Sequence, residues 1–246
     1  MTDILIDIDD ISKTYHAGGT AVPVLQNLSL KIARGQAVAV MGPSGSGKST
    51  LLSIIGGLNP PTGGRIMIDD IDLYALSRER RADFRREYLG FVFQQFQLIP
   101  YLTAFENVLL PLTTTRYPAR QKREMAQQAL KRVNMIGWAD RLPNQLSGGE
   151  QERVAIARAV VNEPPLILAD EPTGSLDTRT AGEIMELFSS LNESGLTILM
   201  VTHNPGNTSY MNRTIAMQDG LLTEDSEAIG VLPAGQARPL ESVGGR

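Results

Sequence analysis

The chain has 246 residues, 42% hydrophobic and 20% charged, which is the composition of an ordinary soluble globular protein with one large core or a core plus a subdomain. Its 23 Lys and Arg against 27 Asp and Glu leave a net charge of −4, which argues against a dedicated nucleic-acid binder. The absence of cysteine excludes disulfides and thiolate metal sites. No apolar run approaches the ~18 residues needed to span a bilayer, and the N-terminus has no basic region followed by an apolar stretch.

Ile4 to Ser12 alternates apolar and acidic residues, predicting a half-buried strand. His16 to Pro23 reads as a hairpin loop around Gly18-Gly19, and Val24 to Ile32 as the returning strand with Leu28, Leu30 and Ile32 on one face. Tyr15 fits two readings, a plain strand-end aromatic or a flat ring for stacking. His16 reads as a solvated loop residue.

Ala37 to Met41 is a short apolar run of the buried parallel-strand type. It leads into Gly42-Pro43-Ser44-Gly45-Ser46-Gly47-Lys48-Ser49, which matches G-x-x-x-x-G-K-[ST], and a helix from Lys48 to Gly56 follows. Strand, loop and helix in that order describe a phosphate cradle. Gly45 and Gly47 let the backbone wrap closely round a polyphosphate with φ > 0, and the helix N-terminus presents free N–H groups to the anion. Lys48 is expected on the β- and γ-phosphates, Ser49 on Mg²⁺ through its hydroxyl, and Thr50 on the next phosphate.

Asn59 to Gly64 is a dense turn cluster, Arg65 to Ile68 a strand and Asp69-Asp70 a turn. Ser77 to Arg86 is a charged helix with five arginines. It reads as a solvated face balanced by Glu79, Asp83 and Glu87, with a phospholipid or nucleic-acid contact as the sharper alternative. Leu89 to Phe93 is a buried strand delivering Gln94. From Gln95 onward the texture turns helical, with a short helix over Ala104 to Leu112 and a long amphipathic one over Pro118 to Asn134. This stretch reads as a helical subdomain, about residues 95–160, inserted into an α/β core.

Leu146-Ser147-Gly148-Gly149-Glu150-Gln151 opens another helix. Leu166 to Ala169 is a central strand ending in Asp170-Glu171, at the edge where open α/β sheets place ligands; a turn acid pair is the bland alternative. Thr180 to Asn192 is a helix with Ile184, Leu187, Phe188 and Leu191 inward. Leu196 to Thr202 is a strong strand ending at His203, Met211 to Leu222 adds edge strands, and a flexible tail is expected over 226–246 beyond a domain of residues 1–225.

At Leu146–Gln151 a resemblance becomes specific. The run L-S-G-G-E-Q, between a phosphate loop and a strand ending Asp-Glu, resembles the nucleotide-binding domain of ATP-binding-cassette (ABC) proteins. Six motifs stand in the family's order: Tyr15, Gly42–Thr50, Gln94, Leu146–Gln151, Leu166–Glu171 with Ser175-Leu176-Asp177, and His203. The resemblance covers roughly residues 3–222. It implies a P-loop NTPase (RecA-like) core with an N-terminal antiparallel β subdomain and an inserted α-helical subdomain, binding ATP and Mg²⁺.

It also implies roles. Tyr15 is the adenine-stacking residue. Asp170 holds Mg²⁺ through water, and Gln94 senses Mg²⁺ and the γ-phosphate. Glu171 polarises the attacking water as general base. His203 contacts the γ-phosphate. Ser147, Gly148, Gly149 and Glu150 face the ATP of the opposite subunit, so that a homodimer sandwiches two ATP molecules head to tail. Glu150 stands where many relatives have Gln, and Glu152 where Gln, Glu or Lys can occur.

Within the family the chain is most similar to the MacB, LolD and FtsE group, on Leu89–Gln94, Thr103–Val108 and Ala169–Asp177. That group implies an integral membrane permease partner with a large periplasmic part, and a cytoplasmic location on the inner face of the membrane. Transport, lipoprotein release and division signalling of the FtsE kind all remain open. A DNA-repair clamp with the same fold needs a long coiled-coil insertion, and only about fifty residues separate Gln94 from Leu146. A paired-domain translation factor carries two cassettes, and this sequence has one. The apolar residues Phe96, Leu98, Tyr101 and Leu102 are the candidate docking patch for the permease.

Overall fold

The computed structural model describes residues 3–227. The chain enters through β1 (Ile4–Ala17) and β2 (Thr20–Ala33), then β3 (Ala37–Met41) and α1 (Lys48–Ile55). β4 (Gly63–Ile68), β5 (Ile71–Asp72), α2 (Arg78–Tyr88) and β6 (Leu89–Phe93) follow. The helical stretch holds α3 (Ala104–Leu109), α4 (Ala119–Arg132) and α5 (Gly148–Val160), with short 3₁₀ turns between them. β7 (Leu166–Asp170), α6 (Thr178–Glu193), β8 (Thr197–Thr202), β9 (Arg213–Gln218) and β10 (Leu221–Glu227) complete it.

Two sheets form. The first is antiparallel in the order β2-β1-β4-β5, and the second runs β10-β9-β3-β8-β7-β6, parallel from β9 to β6. The continuous apolar runs of the central strands are explained by burial on both faces. Val38, Val40, Leu166, Leu168, Leu199 and Val201 share one core with α1 and the antiparallel sheet. The alternating Ala37, Ala39, Ile167, Ala169, Ile198 and Met200 join the opposite core, with α4, α5 and α6.

Three expectations are corrected. The N-terminal hairpin has no long loop: pairing continues to Ala17 and Thr20 round Gly18-Gly19, both at positive φ (56° and 83°). A two-residue turn of this kind needs that backbone and suits strand twist. Pro23 is tolerated within β2 because β2 is an edge strand. β9 is not an edge strand, since it lies between β3 and β10. β10 continues to Glu227, past the expected domain end, and the rest of the expected tail lies outside the described residues.

The arginines of α2 follow the bland reading in part. Arg86 pairs with Asp83 at 2.9 Å, Arg85 donates to the Gly57 carbonyl, and Arg81 lies over the Tyr74 ring. Leu187 of α6 is half-buried, while Ile184, Met185, Phe188 and Leu191 carry the buried face.

Candidate nucleotide site

Gly42–Gly47 crosses from the end of β3 to α1. Gly47 has φ 101°, and a Cβ there would stand 2.8 Å from the Val24 carbonyl oxygen. A Cβ on Gly42 would stand 2.0 Å from the Met217 carbonyl oxygen. The loop is therefore pressed against β2 and the end of β9, and only glycine permits that approach. α1 has no side-chain cap and no acid in its first turn, so its N-terminal N–H groups are left for an anion. Lys48 is buried, and its ammonium folds back onto the Gly42 and Pro43 carbonyls at 2.8 and 2.9 Å. The buried Ser46 hydroxyl has no partner.

This loop forms one wall of a cavity of about 770 Å³, lined by Pro43, Ser44, Gly45, Gly47, Lys48, Ser49 and Thr50. The other wall is Gln94, Asp170, Glu171 and His203, with Val24 at the side. These four polar residues follow or end β6, β7 and β8, so neighbouring parallel strands deliver them to one sheet edge.

The Ser49 hydroxyl donates to Asp170 Oδ1 at 3.2 Å. Burial raises the Asp170 carboxyl above the ordinary carboxylate range. Ser49 opposes that shift by hydrogen bonding, the Glu171 charge adds to it, and Lys48 opposes it. A buried acid destabilised in this way sits in a place short of positive charge. Among the described residues no group of three or more His, Asp or Glu is placed to hold a metal alone. One carboxylate, one hydroxyl and the Gln94 amide fit Mg²⁺, which takes few protein ligands and fills its shell with phosphate oxygens and water.

Glu171 begins just past β7 with φ 49°, its N–H bonded to the Val201 carbonyl. Its Oε1 lies 2.8 Å from His203 Nδ1, and its Oε2 accepts from the Thr202 hydroxyl at 3.2 Å. Thr202 in turn accepts from Asn207 Nδ2 at 3.1 Å, and Asn207 also donates to Thr173. Sequence reading missed Thr202, Thr173 and Asn207. The signal at Thr202 was a polar residue closing the apolar run Ile198–Val201, in a strand all six residues of which are buried. Gln94 is tied to the loop after Glu171: its carbonyl accepts from the Ser175 hydroxyl, and its amide nitrogen would stand 3.0 Å from a Cβ at Gly174.

Two groups of predicted residues stand apart from this cavity. Ser147 caps α5 in a reciprocal box with Glu150: the Glu150 N–H donates to Ser147 Oγ, and the Ser147 N–H donates to Glu150 Oε2 at 2.7 Å. Glu150 thus serves as a capping residue here. Ser147 is exposed, Gly148 half-buried, and Gly149 buried against Thr180. None of Ser147 to Glu150 lines the cavity. Tyr15 does not line it either. Its strand partner is Val22, two residues from the cavity-lining Val24, and its ring is 40% exposed.

The residues of the expected docking patch divide between core and surface. Leu98 packs on the helical core, and Tyr101 is 77% exposed. A separate groove of about 520 Å³ lies nearby, floored by Phe91, Phe93, Leu89 and Pro111 and edged by Arg85 and Arg158, and none of the four expected residues lines it.

Comparison with known proteins supplies the context. The family profile described as "ABC transporter" matches residues 25–174. The chain is 46% identical over 231 residues to the uncharacterized ABC transporter ATP-binding protein MJ0796 of Methanocaldococcus jannaschii, covering 92% of this chain and 98% of that protein. It is 45% identical to YvrO of Bacillus subtilis, covering 90% and 96%. It is 44% identical to the macrolide export ATP-binding/permease protein MacB of Syntrophobacter fumaroxidans, covering 97% of this chain but 34% of MacB. The chain thus spans nearly all of the first two relatives and about a third of MacB. Among solved structures, the dimeric post-hydrolysis state of the MJ0796 cassette bound to ADP and Pi matches with a TM-score of 0.84 and 44% identity, covering 92% of this chain and 99% of that one. The chain belongs to the ABC transporter family, as an ATP-hydrolysing cassette of that family.

Proposed function

We propose that two copies of this chain close head to tail on two ATP molecules and, by closing, drive a membrane permease of the MacB or LolD type. The observation that carries the proposal is a division of labour within one chain. The phosphate loop, Asp170, Glu171, Gln94 and His203 converge on one cavity, while the capped N-terminus at Ser147 lies outside it. The second anion-facing element is left for the nucleotide of another copy. Dimeric cassettes of MJ0796 support this pairing.

In this reading Lys48 and the N–H groups of α1 bind the phosphates, and Tyr15 stacks on the base. Ser49, Asp170 and Gln94 hold Mg²⁺, which when bound neutralises charge on the phosphate oxygens. Glu171 takes the proton of the attacking water from its Oε1 or Oε2. His203 and Thr202 keep that carboxylate from turning away. Ser147, Gly148 and Gly149 close the site from the partner copy and exclude water.

MacB-type relatives favour a transport or extrusion role over division signalling of the FtsE kind. No described helix is long and apolar enough to cross a membrane, so the proposed permease lies in another segment or chain. The groove floored by Phe91 and Phe93 is the proposed seat for it. The cassette would then work at the cytoplasmic face.

The test is Glu171→Gln. It removes the base and leaves the binding groups, so hydrolysis falls ~10²–10⁴-fold with ATP affinity retained. Light scattering with ATP and Mg²⁺ should then find a stable dimer. A monomeric variant hydrolysing at the parental rate would overturn the assignment.

A further inference from the structure

Lys13 is 9% exposed, yet among the described residues no carboxylate pairs with it. A buried ammonium without a counter-charge is costly, and a methionine of similar length would fill the space without that cost. Two hydrogen bonds hold the ammonium. One meets Asn59 Oδ1 at 2.9 Å and one the Pro60 carbonyl at 2.6 Å. The ammonium also stands 4.9 Å from the centroid of the Tyr15 ring. Asn59 completes the arrangement, since its amide donates to the Tyr15 hydroxyl.

Asn59 is itself fixed. Its N–H bonds to the Ser53 carbonyl of α1, and its carbonyl accepts from the Tyr74 hydroxyl at 2.8 Å. α1 begins at Lys48 in the phosphate loop. One short run of chain therefore carries the phosphate cradle at its start and the contact to the Tyr15 hydroxyl at its end.

We propose that Lys13 and Asn59 are positioning residues for the nucleotide base, holding the Tyr15 ring from behind so that its other face is preset as the base platform. This rests on the base-stacking reading of Tyr15 given above. The ring sits between a cation and the incoming purine. The cation draws electron density from the ring and reduces its repulsion with a second π system. The hydrogen bond from Asn59 fixes the ring against rotation and sideways swing, so less conformational freedom is lost when the nucleotide arrives.

The test uses the full chain and compares ADP, which carries the base, with inorganic pyrophosphate, which does not. Calorimetric titration of Lys13→Met should find ADP bound about 3–10-fold more weakly, the range of a partly desolvated cation–π contact, with pyrophosphate binding unchanged. KM for ATP should rise by a similar factor with kcat unchanged. Lys13→Arg, which returns a cation over the ring, should recover most of the loss. Should Lys13→Met fail to fold, Asn59→Ala at a half-buried turn reads the same split between ADP and pyrophosphate. Lys13→Met with parental ADP affinity, or with pyrophosphate weakened equally, overturns the proposal. Tyr15→Ala separates the two levels. If it weakens ADP while Lys13→Met does not, the platform reading stands and the positioning role falls. If Tyr15→Ala leaves ADP affinity unchanged, the base-stacking reading is wrong and the proposal falls with it.

Discussion

Glu152 on α5 is fully buried, and neither of its carboxylate oxygens has a hydrogen-bond partner. The one charge acting on it is Arg158, whose guanidinium is engaged with the Phe96 and Gln97 carbonyls. Burial pushes the Glu152 carboxyl up to about 9, with Arg158 opposing. The sign of its effect on stability follows from linkage. Below the ordinary value of 4.5 the acid is protonated folded or unfolded. Between 4.5 and about 9 the unfolded chain ionises while the folded chain keeps the proton, so stability falls with rising pH. Each pH unit costs about 1.36 kcal/mol, which gives a ceiling of about 5 kcal/mol at pH 8. Relaxation and water entry reduce that to about 1–3 kcal/mol. Glu152→Gln keeps the shape and cannot ionise, so it should be the more stable protein at pH 8.5 and nearly equal at pH 5. Urea unfolding of both proteins at the two pH values measures this. Stability curves that stay parallel across the range would refute the buried neutral acid.

Lys48→Ala should abolish ATP binding. Ser147→Arg should retain binding to the isolated chain and stop hydrolysis, with partial recovery on mixing the two, because one composite site of the mixed dimer keeps both residues. Equal loss of nucleotide affinity in both would contradict the two-copy site. Thr202→Val removes the hydroxyl that holds Glu171, and a drop of about tenfold in kcat, or about 1.4 kcal/mol, is expected with ATP affinity unchanged. A kcat equal to the parental value would remove Thr202 from the mechanism. Gly90→Ala places a Cβ 2.3 Å from the Ala159 carbonyl oxygen of α5. It should destabilise the fold by about 1–3 kcal/mol in thermal unfolding, and an unchanged melting temperature would show that α5 yields freely.

What the sequence disclosed was whatever is written locally. Val38 and Val40 before a glycine loop, or Leu166 to Ala169 before two acids, name a buried strand and its catalytic edge without reference to the rest of the chain. The helix starts at Ser77, Thr103 and Ser147 follow the same logic, since each caps with its own side chain, whereas the cap at Asp177 starts its helix two residues before the expected Thr180. What stayed hidden depends on partners distant in sequence. The place of β9 beside β3 is decided by sheet order. Glu152 looked like one more acid on a helix, and only packing removes it from water. Thr202 and Asn207 become a support for Glu171 only when β8 lies beside β7. The hairpin differs for another reason: Gly18-Gly19 and Pro23 within eight residues resemble a loop, yet the glycines form a two-residue turn and Pro23 sits on an edge strand.

The register of the parallel sheet explains why residues so far apart in the chain act on one small group. Met41 pairs with Thr202, Asp170 with Val201, and Phe93 with Asp170. One residue beyond these, Glu171 comes level with Thr202 and Gln94 with Glu171. The chain separation between the phosphate loop and His203 thus becomes a few lateral steps of ~4.8 Å each, the spacing of neighbouring strands. That is the scale of a phosphate group, a metal ion and one water in line. α5 cannot add its N-terminus to the same edge, because its length is spent packing against β6, α3 and α4. Its start at Ser147 is fixed by that packing, outside the cavity its own chain builds. A second copy turned through a half-rotation is the simplest arrangement that brings such a start to such a cavity, and symmetry then completes both sites at once.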